Sequence, residues 1–238
     1  MAEIARTYHD NLQKAHLLPP DHPDRMAVQN TVLTQIPEHQ KFANDMSELH
    51  TPLTYQQVAN ALLTSKNSTA TGLNGIPYEL WKALHERHLK LHKQRKPSFN
   101  IIKCLTSVYE NIQIHGVDPT TNFSIGWMCP IYKKKDRTRI ENYRPITLLN
   151  TDYKIMTKAL ASQLAKNICT LIHPDQTGFV PTRSIFDPIR LAETMCIYAD
   201  YMEEDGAIVA LDQEEAYDKI DHNYLISTLH MLRSHSST

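Results

Sequence analysis

Apolar residues recur at helical spacing over several stretches of this chain, and polar or proline-containing segments separate those stretches. In residues 1–17, Ile4 and Tyr8 fall on one face of a predicted helix. The proline-containing segment 18–23 ends that helix, because proline cannot continue it. The polar sequence that follows, up to about residue 50, carries only a weak pattern.

Later segments carry clearer helix signals. Thr54 can cap a helix over residues 54–64, with Gln57 at the position that completes a capping box. A loop rich in Ser, Thr, Asn and Gly follows at 67–77. Periodicity then predicts five further helices, at about residues 78–92, 98–114, 152–172, 185–204 and 222–233.

Two short segments predict β-strands. Residues 123–132 favour a strand, and residues 133–145 favour a charged loop after it. Residues 206–212 form an apolar run that ends in Asp212, which predicts a buried strand with a carboxylate at its tip. Helices interrupted by a few strands indicate a mixed α+β fold.

Composition narrows the class of protein. The 238 residues suffice for one large or two small domains, and the net charge of −1 argues against a protein that coats nucleic acid. Four cysteines lie far apart, and the thirteen histidines show no metal-ligand spacing, so a zinc site is not expected. With no signal peptide and no long apolar span, we expect a soluble intracellular protein, nuclear or cytoplasmic, and no membrane contact.

Charge is distributed unevenly along the chain. Residues 132–158 hold eight basic side chains against three acidic ones, and residues 200–221 hold nine acidic side chains against Lys219 alone. One explanation is a site that holds polyphosphate from one side and metal ions from the other. The other explanation is two solvated faces, which is the usual state of charge runs.

The apolar run and the residues after it, AIVALDQEEAYDKIDH at 207–222, resemble the first metal-binding motif of reverse transcriptases, especially the LINE-like and group II intron branch. The resemblance implies that Asp212 is catalytic and ligates two Mg²⁺ ions, with the Gln213 backbone carbonyl as a further ligand. Nucleotidyl transfer with two metals requires such a shared carboxylate. Tyr217 matches the steric gate that excludes a ribose 2′-hydroxyl. For Asp212 alone, the alternative is a cap at a strand end.

Two upstream segments, CPIYKKKD at 129–136 and NYRPITLL at 142–149, resemble the fingers motif of the same family. There a lysine and the motif's arginine grip the incoming triphosphate. The resemblance assigns Arg144 to this nucleotide-binding role and leaves Lys133 and Lys134 as alternatives. A guanidinium fork and an ammonium group together suit a pyrophosphate.

Two more segments resemble family motifs. HPDQTGFVPTRSI at 173–185 is similar to the motif that lies along the template strand. The resemblance implies template or primer contacts from four residues of this segment, Gln176, Gly178, Phe179 and Arg183. GLNGIPYE at 72–79 resembles a LINE-like segment in which Asn74 stands where the family has Asp.

Four motifs in the family's order, over about residues 54–232, identify the chain as similar to non-LTR retrotransposon reverse transcriptases. The expected fold is an incomplete right-hand polymerase: a helical extension at 1–53, a fingers-like part at 54–204 and the start of a palm at 205–238. The implied partners are an RNA template, RNA–DNA hybrid and deoxynucleoside triphosphates, and the implied cofactor is Mg²⁺.

The family's Tyr-x-Asp-Asp turn has no counterpart here. The nearest lookalike, at 198–201, falls on a predicted helix, so we expect a truncated and inactive polymerase. The free edge of the strand at 206–212 and its uncovered apolar face, which includes Ile208 and Ala210, should then make the protein prone to aggregation or only marginally stable. Two alternatives stay open: a non-catalytic remnant that binds RNA or RNA–DNA hybrid, and a decayed gene fragment.

Overall fold

The structure is a computed structural model that describes residues 2–14, 19, 22–36, 51–203, 205–212, 217 and 219–233. The described residues form eight α-helices, one short 3-10 helix at Ile140–Asn142 and one two-stranded sheet, so the mixed α and β character is confirmed. In chain order the elements are α1 (Ala2–Lys14), α2 (Pro23–Thr34), α3 (Tyr55–Leu63), α4 (Tyr78–Lys93), α5 (Ile101–His115), β1 (Trp127–Tyr132), β2 (Tyr143–Leu148), α6 (Thr151–Leu171), α7 (Phe186–Met202) and α8 (His222–Arg233).

The chain divides into two compact units. We call Ser47–Leu164 the central unit, and Met1–Met46 with Ala165–Thr238 the terminal unit. The boundary falls inside α6, whose last residues belong to the terminal unit. The predicted division into an extension, a fingers-like part and the start of a palm stays a prediction.

The central unit is built on α3, α4 and α5, which pack on one another. Thirteen buried side chains from residues 53–159 form one apolar cluster, in which Leu62, Ile102 and Ile155 are fully buried. Each such side chain contributes about 1.5–3 kcal/mol relative to its exposed state. The capping box at the start of α3 is confirmed, since Thr54 and Gln57 each accept from the other's backbone amide.

A buried asparagine joins the start of α6 to two earlier loops of the central unit. The Asn150 side chain accepts from the Asn74 amide at 3.1 Å and donates to the Asn122 carbonyl at 2.9 Å. Gly72 is required beside it, because a Cβ there would lie 2.3 Å from the Asn150 backbone nitrogen. The loop of the GLNGIPYE motif is therefore fixed to Asn150, the residue that directly follows the NYRPITLL segment.

β1 and β2 form an antiparallel hairpin in which Tyr132 lies opposite Tyr143 and Ile131 opposite Arg144. The prediction of a loop through residue 145 was wrong, because β2 begins at Tyr143. Charge and proline hide the strand pattern in β2, and the strand forms because β1 supplies its hydrogen-bonding partner.

The terminal unit contains a helix that the sequence pattern did not predict. α2 begins with Pro23 in its first turn, where a missing amide costs nothing, and the His22 ring accepts from the Asp24 amide at 3.3 Å. α2 packs on α8, and Arg25 of α2 forms an ion pair with Asp221, the residue before α8.

The prediction of a buried strand at 206–212 was wrong. Residues 205–212 carry no strand pairing in the part of the chain that the structure describes. Ile208, Val209 and Leu211 are 73%, 74% and 92% exposed. A strand requires a hydrogen-bonded neighbour, and the described residues provide none at this segment. The predicted uncovered apolar surface is present, without the strand edge.

None of the described helices is both long and apolar enough to cross a bilayer.

Candidate functional site

The segment that connects β1 to β2, Lys133–Asn142, is a short basic loop whose backbone is tied down from within. The Tyr132 hydroxyl donates to the Lys135 carbonyl at 2.7 Å, and the Tyr143 hydroxyl donates to the Arg137 carbonyl at 2.9 Å. The two rings meet edge to face, with centroids 5.6 Å apart. The paired tyrosines therefore fix both arms of the basic loop.

Two further groups hold the same loop. The buried Asn142 side chain donates to the Asp136 carbonyl at 2.7 Å. The Asp136 carboxylate accepts from the Thr138 amide at 2.9 Å and from its hydroxyl at 2.8 Å, and these bonds lower the pKa of Asp136. The polar residues between the basic ones thus serve the loop's own conformation, so the loop is preorganised before any ligand arrives.

The cationic side chains of the hairpin point outward. Lys133, Lys134, Lys135 and Arg144 are exposed, and none of them forms an ion pair with a carboxylate in the part of the chain that the structure describes. Arg139 pairs with Glu141. The Arg137 guanidinium lies 4.6 Å from the centroid of the Tyr132 ring, which orients a cation without neutralising it.

Backbone geometry distinguishes the two candidate lysines. The ladder continues one residue past β1, since the Lys133 amide donates to the Asn142 carbonyl at 2.8 Å. Side chains two residues apart on a strand share a face, so Lys133 falls on the face of Ile131. Arg144 lies opposite Ile131 and shares that face. Lys134 comes after the pairing has ended.

Two lysines of the basic stretch have a structural role instead. The Lys154 ammonium donates to the Ala70 carbonyl at 2.9 Å and lies 5.5 Å from the Tyr78 ring centroid. The Lys158 ammonium reaches the Ser65 hydroxyl at 3.3 Å. Burial lowers the pKa of both lysines. The basic surface therefore consists of the six cationic residues of the hairpin, without Lys154 and Lys158.

The predicted template segment, in the terminal unit, is organised by Arg183. Its guanidinium donates to four backbone carbonyls, those of Cys169, Ile172, His173 and Gln176, at 2.5–3.0 Å. The Gln176 side chain donates to the Gly178 carbonyl at 3.3 Å, and Phe179 is 98% exposed. The structure thus brings all four predicted residues into one loop, with Arg183 turned inward and Phe179 outward.

The predicted catalytic region is exposed. Asp212 is exposed and ends the segment 205–212, which forms neither helix nor strand, and Tyr217 is 78% exposed. Gln213, the predicted source of a backbone ligand, lies outside the described residues. Asp221, in the same motif, accepts from the Tyr224 amide at 2.6 Å and so caps α8 while it pairs with Arg25.

A magnesium pair takes several oxygen ligands, including a shared carboxylate. Among the described residues, no group of three or more His, Cys, Asp or Glu side chains is placed to hold a metal ion. Asp212 supplies a single carboxylate, which does not by itself fit a two-metal centre. No catalytic step through a metal follows from it.

The lookalike of the Tyr-x-Asp-Asp turn at 198–201 lies within α7, as predicted. Sequence reasoning missed three residues that shape the candidate site: Asn150, Tyr132 and Tyr143. The available signal was the pair of tyrosines that flanks the basic run, since phenol hydroxyls beside a loop can donate to its backbone carbonyls.

Comparison of the sequence with known proteins identifies a family for the region that contains these residues. Residues 132–237 match the family described as reverse transcriptase (RNA-dependent DNA polymerase). Over 181 residues, 76% of this chain, the sequence is 33% identical to the transposon TX1 uncharacterized 149 kDa protein of Xenopus laevis. That stretch is 13% of the relative's length, so this chain spans a small part of it.

The basic hairpin, the Arg183 loop and Asp212 thus fall almost entirely within a reverse transcriptase region. The family match and the transposon relative together support a reverse transcriptase region of the non-LTR retrotransposon type. The resemblance drawn from the four motifs is confirmed.

Proposed function

We propose that this chain is the nucleotide- and template-handling portion of an RNA-directed DNA polymerase. Its β-hairpin holds the triphosphate of an incoming deoxynucleotide, and the loop at 173–185 contacts the template. The observation that carries the proposal is the preorganised basic loop, in which two tyrosine hydroxyls and Asn142 fix the backbone. Four hairpin cations face solvent and have no acidic partner among the described residues. The family match over residues 132–237 supports it.

Within the hairpin, we assign the grip to Arg144 and Lys133. The two residues share a face of the ladder, so a bidentate fork and a point charge approach one ligand from the same side. Lys134 is the weaker candidate, because it follows the last ladder bond. The roles that the resemblance implies for Asp212 and Tyr217, metal ligand and steric gate, stay predictions.

Triphosphate binding tests the hairpin. A fluorescent deoxynucleoside triphosphate should bind the wild type, and Arg144→Ala should weaken binding by about 10- to 100-fold, the loss typical of a charge-assisted bidentate contact. Lys133→Ala should weaken it more than Lys134→Ala. Arg144→Lys should fall between wild type and Arg144→Ala, because lysine keeps the charge and loses the fork.

A matched control separates a site from general attraction to cations. Arg87 on α4 belongs to the same unit and is exposed. Arg87→Ala should leave triphosphate binding within about twofold of wild type, as expected for a remote surface charge screened by salt. Equal losses in Arg87→Ala and Arg144→Ala would show diffuse binding and contradict the proposal.

For the 238-residue polypeptide alone, we expect no polymerase activity. Its sequence contains no Tyr-x-Asp-Asp segment, so one of the family's three carboxylates is present, at Asp212. Primer extension on an RNA template with Mg²⁺ checks this expectation, and clear product from the purified chain would contradict it.

A second candidate function is RNA binding without chemistry, which the display of the hairpin cations on an open loop favours. A competition experiment discriminates the two functions. If an unlabelled deoxynucleoside triphosphate displaces neither bound RNA nor the bound labelled nucleotide, RNA binding without chemistry is favoured over the triphosphate grip.

A further inference from the structure

Arg183 has an unusual set of partners in the terminal unit. One terminal nitrogen of its guanidinium donates to the carbonyls of His173 and Gln176, at 2.5 and 2.6 Å. The other donates to the carbonyls of Cys169 and Ile172, at 3.0 and 2.9 Å. Cys169 lies in the last turn of α6, where carbonyls have no partner within the helix. Arg183 therefore caps α6 and ties the following loop to it.

These bonds leave little of Arg183 for a ligand. A guanidinium has five N–H donors, four of them on the terminal nitrogens, and both terminal nitrogens already donate to two carbonyls each. A phosphate could reach them only if the loop gave up its own bonds. The side chain that resembles a nucleic-acid contact in sequence thus acts through the loop it holds.

The loop presents Phe179 to solvent in a strained conformation. Phe179 is 98% exposed and has a φ of +61°, which bulky residues rarely adopt. The neighbouring Gly178, which would adopt a positive φ without steric cost, does not carry one. The next residue, Val180, is 8% exposed and anchors the loop on the inside. Strain is therefore placed on the residue whose ring points outward.

The glycine before Phe179 also points to an external molecule. A Cβ on Gly178 would find its nearest described neighbour, the Gln176 side-chain nitrogen, at an ordinary 3.6 Å. Nothing in the described part of the protein requires glycine at this position. A bare backbone beside an exposed ring leaves room for a flat ligand to approach the ring closely.

We propose that Phe179 stacks on an unpaired base of single-stranded RNA, and that Arg183 is the positioning residue that holds Phe179 out. The inference rests on the proposed function, because it names how the template segment meets its strand. Aromatic side chains bind single strands by stacking, since every base has a π-face, and Phe179 has both ring faces accessible.

An RNA without bases separates stacking from backbone contact. Fluorescence anisotropy would compare a labelled oligouridine with an abasic oligomer of the same length and charge. Phe179→Ala should weaken binding of oligouridine by about 10-fold and leave binding of the abasic oligomer unchanged, whereas Phe179→Trp should retain affinity. Phe99→Ala, which removes another exposed aromatic ring, is the control and should change neither.

The role of Arg183 is tested by a variant that keeps its charge. Arg183→Lys should weaken oligouridine binding as much as Phe179→Ala does, with an unaltered salt dependence, and the double variant should lose little more. If Arg183 instead contacts a phosphate, Arg183→Lys should retain most of the affinity and Arg183→Gln should reduce the salt slope by about 0.7.

The proposal is overturned if Phe179→Ala binds oligouridine like the wild type, if it loses both oligomers equally, or if the wild type binds neither. Retained RNA binding in Phe179→Ala would leave a protein partner as the occupant of this surface. Triphosphate binding at Arg144 involves no RNA, so the failure of the present inference and the failure of the proposed function are distinguishable.

Discussion

The central unit and the terminal unit differ in how far their apolar side chains are covered. In the central unit, thirteen side chains form one buried cluster. In the terminal unit, α7 has no buried residue, and Tyr201 and Leu211 are 83% and 92% exposed. The proposed triphosphate grip therefore belongs to a unit with its own core, whereas Asp212 follows a segment with little packing of its own.

This contrast has a functional consequence. Binding groups act best when packing fixes them before the ligand arrives, as in the basic loop. A carboxylate on an exposed, unpaired segment lacks that support. Among the described residues, the proposed triphosphate grip is therefore better preorganised than the segment that carries Asp212.

The largest effect should come from the core of the central unit. Ile155→Ala removes a fully buried side chain and should lower the free energy of unfolding by about 2–5 kcal/mol. Ile197→Ala on α7, where the side chain is 68% exposed, should change it by less than about 0.5 kcal/mol. Urea denaturation followed by circular dichroism measures both. Comparable losses would erase the contrast between the units.

The buried asparagine should have the next largest effect. Asn150→Ala leaves the Asn74 amide and the Asn122 carbonyl without their partner, and should cost about 1–3 kcal/mol of stability. Trp81 and Trp127 both lie in the central unit, so tryptophan fluorescence during denaturation reports this unit alone. The control is Asn60→Ala on the exposed face of α3, with an expected change below about 0.5 kcal/mol.

A smaller effect on stability and on RNA binding should distinguish the structural lysine Lys154 from the exposed hairpin lysine Lys135. Lys154→Met removes the bond to the Ala70 carbonyl and should lower stability by about 1 kcal/mol. It should leave the salt dependence of RNA binding unchanged. Lys135→Ala should do the reverse, with stability unchanged and the salt slope reduced by up to about 0.7. A reduced slope in Lys154→Met would return that lysine to the basic surface.

The smallest effect concerns acid stability. His85 is 4% exposed, and burial lowers its pKa, so the folded state keeps it neutral. The unfolded chain takes up the proton first as pH falls through about 6.5. Stability should therefore decline below that pH, until the folded pKa is reached, by at most about 1.4 kcal/mol per pH unit.

His85→Leu should remove this acid sensitivity, and the exposed His92→Gln should retain it. Denaturation at pH 7 and pH 5, followed by tryptophan fluorescence, gives the comparison. Equal acid sensitivity in His85→Leu and the wild type would mean that another group is responsible.

Local signals in the sequence predicted much of the fold. The Thr54 capping box and the range of α8 are confirmed, because both depend on residues close together in the chain. The strand at 206–212 failed, because an apolar run becomes a strand only with a partner. α2 was missed, because its apolar residues show little periodicity and Pro23 acts as a start rather than a stop.

The candidate site divides in the same way. Motif order predicted the family, and the roles it assigns to Arg144 and Phe179 stay predictions. The partners of a side chain lie beyond what a motif shows. No pattern in the sequence indicates that Arg183 donates to four carbonyls or that Lys154 is tied to Ala70. Residue type alone does not separate a structural cation from a binding cation.

The most direct test is to locate a bound deoxynucleoside triphosphate on the chain by nuclear magnetic resonance. Titration into isotope-labelled protein should shift the backbone amides of Lys133, Arg144 and Ile146 in a saturable way, with no comparable shifts in α4. In Arg144→Ala those shifts should vanish while the rest of the spectrum keeps its dispersion. Saturable shifts confined to other elements, or unchanged shifts in Arg144→Ala, would contradict the hairpin as the triphosphate grip.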